Sequence, residues 1–240
     1  MATTETPWTG SIGDKLYLQS GQFSATMKTS LDISGIDTGS QSLEWDGTNT
    51  PWCGLDDDKL YLQSGKFSAT LKTSLDVSGV TPYPRGISWD GTNTPWCEEA
   101  GKLHLQSGQF SATLKTSRDV SGVDNSNGDI SWDGTNTPWS GWEAGKLYLQ
   151  SGQFSGTLKT SRDISGFEPT IQGISWDGTN TPYCGQTGDK LWLQSGQFSA
   201  TLKTSLDISA IEAVSTGIST DDANGRLGIA AVFTPTAVIF

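Results

Sequence analysis

Histidine occurs once, as His104, and cysteine only three times in 240 residues. A single imidazole leaves no histidine-based triad and no multi-histidine metal site. Cys53, Cys97 and Cys184 are odd in number and match no zinc spacing, so they read as small buried thiols. Positive charge is scarce as well: 15 Lys and Arg face 26 Asp and Glu, for a net charge of −11 and a pI near 4.4. The basic footprint that nucleic acid demands is missing. Long apolar runs are missing too. The most apolar stretch, residues 227–240, contains Pro235 and is too short to span a bilayer, and MATTETPW lacks the basic start and apolar run of a signal peptide. These absences predict an acidic, soluble, non-catalytic chain with no cofactor, no nucleic-acid partner and no membrane insertion.

What the chain has in quantity is repetition. The string KLYLQSGQFSATMKTSLDISG begins at Lys15 and returns at Lys59, Lys102, Lys146 and Lys190, in steps of 44, 43, 44 and 44 residues. WDGTNTPW begins at Trp45, Trp89 and Trp132 and, ending in Tyr, at Trp176, with the same steps. The one short step is local, because Trp96 to Lys102 is a residue shorter than its counterparts.

Within a unit the hydrophobic period is two, which predicts strands. GISWDG, then Thr94 to Cys97, then KLYLQ, then FSATLKTS give four strands separated by Asp-Gly and Ser-Gly turns. In the last of these, Phe67, Ala69 and Leu71 are expected on one face and Ser68, Thr70 and Lys72 on the other. Connections this short require an antiparallel meander, and a polar, Lys-bearing fourth strand suits an exposed edge.

Four strands per unit of about 44 residues match a propeller blade. Thr6-Pro7-Trp8 aligns with Thr50-Pro51-Trp52, and Gly217-Ile218-Ser219 with Gly86-Ile87-Ser88. The chain therefore starts inside a unit and ends by supplying the strand that unit lacks. The expected fold is all-β, a five-bladed β-propeller of four-stranded antiparallel blades closed by N- and C-terminal strand exchange. Residues 1–225 form it, with blade one from 6–35 plus 214–225 and the others near 36–79, 80–122, 123–166 and 167–210. Residues 226–240 remain as an apolar tail, packed on the disc or used for attachment to a larger assembly.

The unit, with its GISWDGTN opening and KLYLQSG third strand, resembles the recently amplified near-identical β-propeller repeats of bacterial and viral proteins. The blade count and length resemble tachylectin-type five-bladed lectins. These resemblances imply a multivalent module with a glycan or cell-surface ligand, lectin-like or part of a viral or cell-surface adhesin. The unit departs from WD repeats, having no Gly-His pair, and from the sialidase Asp-box, since Gly91 directly follows Asp90. No functional residue is carried over from either.

Candidate binding groups recur with the repeat. Asp46 and Asn49, Asp90 and Asn93, Asp133 and Asn136, and Asp177 and Asn180 place a carboxylate beside an amide, a pair able to bind sugar hydroxyls. The same residues also satisfy what a tight turn demands. Tyr17, Tyr61, His104, Tyr148 and Trp192, between the two leucines of the third strand, each join an apolar ring to a polar handle, as a partly exposed or inter-blade site requires. Trp8, Trp52, Trp96, Trp139 and Tyr183 offer sugar platforms or core packing. Asp32, Asp76, Asp119, Asp163 and Asp207 are expected to bond local backbone, and the lysines to form a solvated belt. The second-to-third and fourth-to-first connections drift between units whereas the DGTN and QSG turns do not, so one disc face is variable and the other uniform. A uniform face repeating one weak site gains avidity. The alternative is a structural disc without a small-molecule ligand.

Overall fold

In the computed structural model, residues 5–21, 26–199, 201–212 and 214–220 are described. The first strands are β1 (Thr6–Gly10), β2 (Lys15–Gln19) and β3 (Met27–Asp32). Then follow β4 (Ser40–Leu43), β5 (Asn49–Gly54), β6 (Lys59–Ser64) and β7 (Leu71–Asp76), and β8 (Pro84–Ile87), β9 (Asn93–Glu98), β10 (Lys102–Ser107) and β11 (Leu114–Asp119). The remainder are β12 (Asn127–Ile130), β13 (Thr137–Gly141), β14 (Lys146–Gln150), β15 (Leu158–Asp163), β16 (Ile171–Ile174), β17 (Asn180–Gly185), β18 (Lys190–Ser195), β19 (Leu202–Asp207) and β20 (Ser215–Ile218). They pair as five antiparallel sheets of four. Blades 2 to 5 are β4 to β7, β8 to β11, β12 to β15 and β16 to β19, and blade 1 has the order β20-β1-β2-β3.

Strand exchange closes the ring. Trp8 on β1 faces Ile218 on β20, and the innermost strands β4, β8, β12, β16 and β20 touch in a closed circle. No helix occurs among the described residues, so none is long and apolar enough to cross a membrane. The tail expected at 226–240 lies outside them.

The core sits between blades. Cys53, Leu60, Leu62 and Val77 of blade 2 meet Ile87, Trp96 and Phe110 of blade 3, and the same arrangement recurs at every junction, including blade 5 with blade 1. Each fully buried side chain of this kind contributes roughly 1.5–3 kcal/mol before entropy, and only a neighbouring blade makes that burial possible.

Two strand boundaries differ from the sequence pattern. The outer strand starts at Leu71 rather than Phe67, and Phe67 lies in the preceding turn with φ +57. Phe110, Phe154 and Phe198 share that left-handed backbone, unusual for a bulky residue, and each ring is buried against the neighbouring blade. Burial of the ring holds a backbone that the turn alone would disfavour. The innermost strand ends at Ile87, so the half-buried Trp89 lies beyond it.

The innermost strands come close enough to require glycine. A Cβ on Gly217 would stand 2.6 Å from Ser42 Cα, and one on Gly86 2.6 Å from Asp129 Cα. At the equivalent place in blade 4 stands Asp129. Its Oδ1 accepts from Ser42 Oγ of blade 2 at 2.7 Å and its Oδ2 from the Ile174 N–H of blade 5 at 2.9 Å. Burial pushes this carboxyl well above the usual aspartate range, against the opposing effect of these donors.

Candidate functional site

The uniform face is built from the turns that join first to second and third to fourth strands in blades 2 to 5. In every DGTN turn the Asp Oδ1 accepts two backbone N–H groups, at Asp90 from Thr92 at 2.7 Å and Asn93 at 2.6 Å. At Asp90 the other oxygen accepts from the Asn of the same turn, Asn93 Nδ2, at 3.1 Å. The Asn Oδ1 in turn accepts from an outer-strand lysine: Lys72 to Asn49, Lys115 to Asn93, Lys159 to Asn136 and Lys203 to Asn180, at 3.1–3.2 Å. These lysines are fixed partners of the turn as well as solvated charges.

The turns also join blades. Gln109 Nε2 of blade 3 donates to Asp46 of blade 2, Gln153 to Asp90, and Gln197 to Asp133. Where Lys66 replaces the Gln, Glu5 replaces the Asn of blade 1, and Lys66 Nζ lies 2.8 Å from Glu5 Oε2. Lys28 pairs with the same carboxylate, and the two lysines hold it below the usual range despite its burial.

The ring series of the third strand is buried between blades rather than partly exposed. Tyr17, Tyr61, His104 and Tyr148 are 2–5% exposed and stack on Trp8, Trp52, Trp96 and Trp139 with centroids 4.1–4.2 Å apart. The stacks follow from register, since Trp52 and Tyr61 are direct cross-strand partners. Trp192 lies beside Tyr183 at 6.2 Å.

Beneath the variable face these rings meet carboxylates that sequence reading missed. Tyr17 Oη donates to Glu212 at 3.0 Å, Tyr148 to Asp124 at 3.1 Å and Tyr61 to Asp37 at 3.3 Å. Burial and the adjacent carboxylate push these phenols far above their ordinary value. The same acids accept backbone N–H groups of the turn above, such as Gly39 and Asp57 on Asp37, and Thr187 and Gly188 on Glu168. The room for each carboxylate comes from a glycine: a Cβ on Gly54 would collide with Asp37 Oδ2, and one on Gly141 with Asp124 Oδ2.

Blade 3 departs from this pattern at three places at once. Thr81 stands for the acid, Glu98 for the glycine and His104 for the tyrosine. Glu98 Oε2 lies 3.6 Å from His104 Nε2, with both side chains buried. Burial alone would raise the Glu98 pKa, but His104, Thr81 and the Lys102 ammonium together hold it below the usual range.

The variable face itself carries exposed apolar groups and unbalanced charge. Val80, Val123, Phe167 and Ile211 occupy one repeat position and are 39–45% exposed, joined by Tyr83 and Ile12. Asp32, Asp76, Asp119, Asp163 and Asp207 each accept from the Ser two residues on, which holds them below the usual range. Asp56 to Asp58, Glu99, Glu143 and Asp189 lie in the same surface, against one lysine per blade at the start of each third strand and Arg85, Arg118 and Arg162. Between blades 3 and 4 this face opens into a cleft of about 510 Å³ lined by Tyr83, Pro82, Glu99, Ala100, Asn125 and Glu143. Among the described residues no group of three or more His, Cys, Asp or Glu is placed to hold a metal.

No family model and no curated protein matches this chain in sequence. Among solved structures it is similar to a chain of the nidogen/laminin complex, at 12% identity and a TM-score of 0.59, covering 90% of this chain and 98% of that one. It is also similar to the glutaminyl cyclase of Myxococcus xanthus, at 10% identity and a TM-score of 0.52, covering 75% of this chain and 69% of that one. Both likenesses are of fold. The protein is a five-bladed β-propeller.

Proposed function

We propose that the protein is a non-catalytic binding module that presents its variable, acidic face to a basic protein surface. The observation that carries this reading is the division of labour between the two faces. On the uniform face, carboxylates, amides and lysines are spent on the turns and on the neighbouring blade. On the opposite face, exposed apolar side chains stand among acids that outnumber the bases. Apolar patches rimmed by charge mark protein-binding surfaces, and unbalanced charge steers a partner of opposite sign.

A glycan ligand at Asp46, Asn49, Asp90, Asn93, Asp133, Asn136, Asp177 and Asn180 would have to compete with the bonds already made there. In our reading these residues, and the rings Tyr17, Tyr61, His104, Tyr148 and Trp192, support the disc instead of touching ligand. A purely structural disc leaves the unequal faces unexplained.

Buried native thiols permit a direct test. Tethered through Thr92→Cys on the uniform face, the protein should retain a nona-arginine peptide at low salt and release it at high salt. Tethered through Ser78→Cys on the variable face, it should bind at least tenfold more weakly. No retention in either orientation would overturn the reading, and retention of a neutral glycan polymer by the Ser78→Cys form would return the ligand to the uniform face.

A further inference from the structure

We infer that the cleft between blades 3 and 4 is an arginine pocket, taking one guanidinium side chain of a partner polypeptide. The inference deepens the reading above and rests on it.

The cleft lies beside the one irregularity in the length of the repeat, and Glu99 and Ala100 of the shortened turn line it. Four residues join β5 to β6 (55–58), and four join β13 to β14 (142–145), but only three join β9 to β10 (99–101). The shortened turn ends at Gly101, which has a φ of +78 and packs so closely that a Cβ there would stand 2.9 Å from Ser121 Cα. Gly145 ends the longer turn of blade 4 with the same approach, to Ser165 Cα, so both turns are anchored at their last residue and differ by the one residue before it. The space left, about 510 Å³, falls in the range of roughly 300–1,000 Å³ for small-ligand pockets.

Its walls suit a planar cation. Glu143 is exposed and makes no ion pair among the described residues. Tyr83, 51% exposed, presents a ring whose backbone is held at φ +68 by its N–H bond to Asp58 Oδ1 at 2.8 Å. Beside the cleft the protein already seats a guanidinium in this way. Arg85 lies over the Trp142 ring at 4.3 Å and meets Glu99 Oε2 at 2.7 Å, so an aromatic face and a carboxylate together hold it. Tyr83 and Glu143 bring the same two kinds of group, an aromatic ring and a carboxylate, to the lining of one cleft. Arginine fits better than lysine because its flat head stacks on a ring and forks to a carboxylate at once. At the equivalent of Tyr83 the other blades carry Gly39, Ser126, Thr170 and Val214, so blade 3 alone has an aromatic ring at this repeat position.

The test uses the whole protein and two seven-residue peptides that differ only in carrying arginine or citrulline at the centre. By calorimetry the arginine peptide should bind at least fivefold more tightly than the citrulline peptide. Glu143→Gln and Tyr83→Ala should each remove that preference, with unchanged melting temperature, whereas Asp56→Asn on blade 2 should leave it. Equal binding of the two peptides, or a preference that survives Glu143→Gln, would overturn the pocket. Nona-arginine separates the two levels: if it binds wild type and Glu143→Gln alike, the acidic face stands and the pocket falls; if it does not bind at all, both fall.

Discussion

Glu98 Oε2 stands 3.6 Å from His104 Nε2 and does for blade 3 what Asp37, Asp124, Glu168 and Glu212 do elsewhere. Every blade thus keeps one buried carboxylate under the variable face, close to the ring of its third strand. In blade 3 the acid arrives from the second strand instead of the connection, which is why its glycine and tyrosine are replaced in the same blade.

Glu98→Gln should therefore destabilise the protein at neutral pH by about 1–3 kcal/mol, the typical cost of leaving buried polar groups without their partner. The pKa of Glu98 is depressed on folding, so its contribution is present above the ordinary glutamate value of 4.5 and is lost as pH falls through the lower folded value. Denaturant titrations should show the gap between wild type and variant closing in acid. The triple change Thr81→Asp, Glu98→Gly, His104→Tyr should recover most of the loss by restoring the arrangement of the other blades.

A second prediction concerns the glycines that make room for these acids. Gly54→Ala should cost more than about 2 kcal/mol, because its Cβ would overlap Asp37. Asp37→Ala has its own cost, yet combined with Gly54→Ala it should show a favourable coupling above about 1 kcal/mol. Gly79→Ala, with open space around it, is the control and should be near neutral. Additive effects in the double-mutant cycle would contradict the overlap.

Closure of the ring can be read from one tryptophan. Trp8 and Trp52 are both fully buried, the first only because blade 5 and β20 complete its surroundings. Trp8→Ala and Trp52→Ala should each cost about 3–5 kcal/mol. A much smaller loss for Trp8→Ala, measured by chemical unfolding, would mean that the junction of blades 1 and 5 is not sealed in solution.

The Asp129 carboxyl titrates in the opposite sense to Glu98. Its pKa is raised on folding, so its stabilising share is full below the ordinary aspartate value of 3.8 and declines as pH rises through the higher folded value. Relative to Asp129→Gly, which restores the residue of three other blades, wild type should lose ground as pH rises from the ordinary aspartate value of 3.8 through the higher folded value. Thermal melts across that range check it, and a constant difference would contradict it.

Architecture was legible because the repeat is nearly perfect: the strand count, the antiparallel order and the shared first blade follow from the spacing of Trp45, Lys59 and their copies and from the match of Gly217-Ile218 to Gly86-Ile87. The boundaries of the outer strand were not, because Phe67 satisfies a period of two while its buried ring holds a turn. The third-strand rings were placed on the correct face of the strand, but alternation alone does not tell a face that meets solvent from one that meets the next blade. Asp37, Asp124, Glu168 and Glu212 vary between Asp and Glu inside the drifting connections, which hid them. Their one usable signal was the joint departure at Thr81, Glu98 and His104.

The bonds from Asp129 tie β12 to β16 beside it and to β4, which is not its neighbour. A span of this kind links blades 2, 4 and 5 at the hub through a single carboxylate. Blade 4 is thereby fastened to blades 2 and 5 through one side chain, so a change at Asp129 releases two blades together.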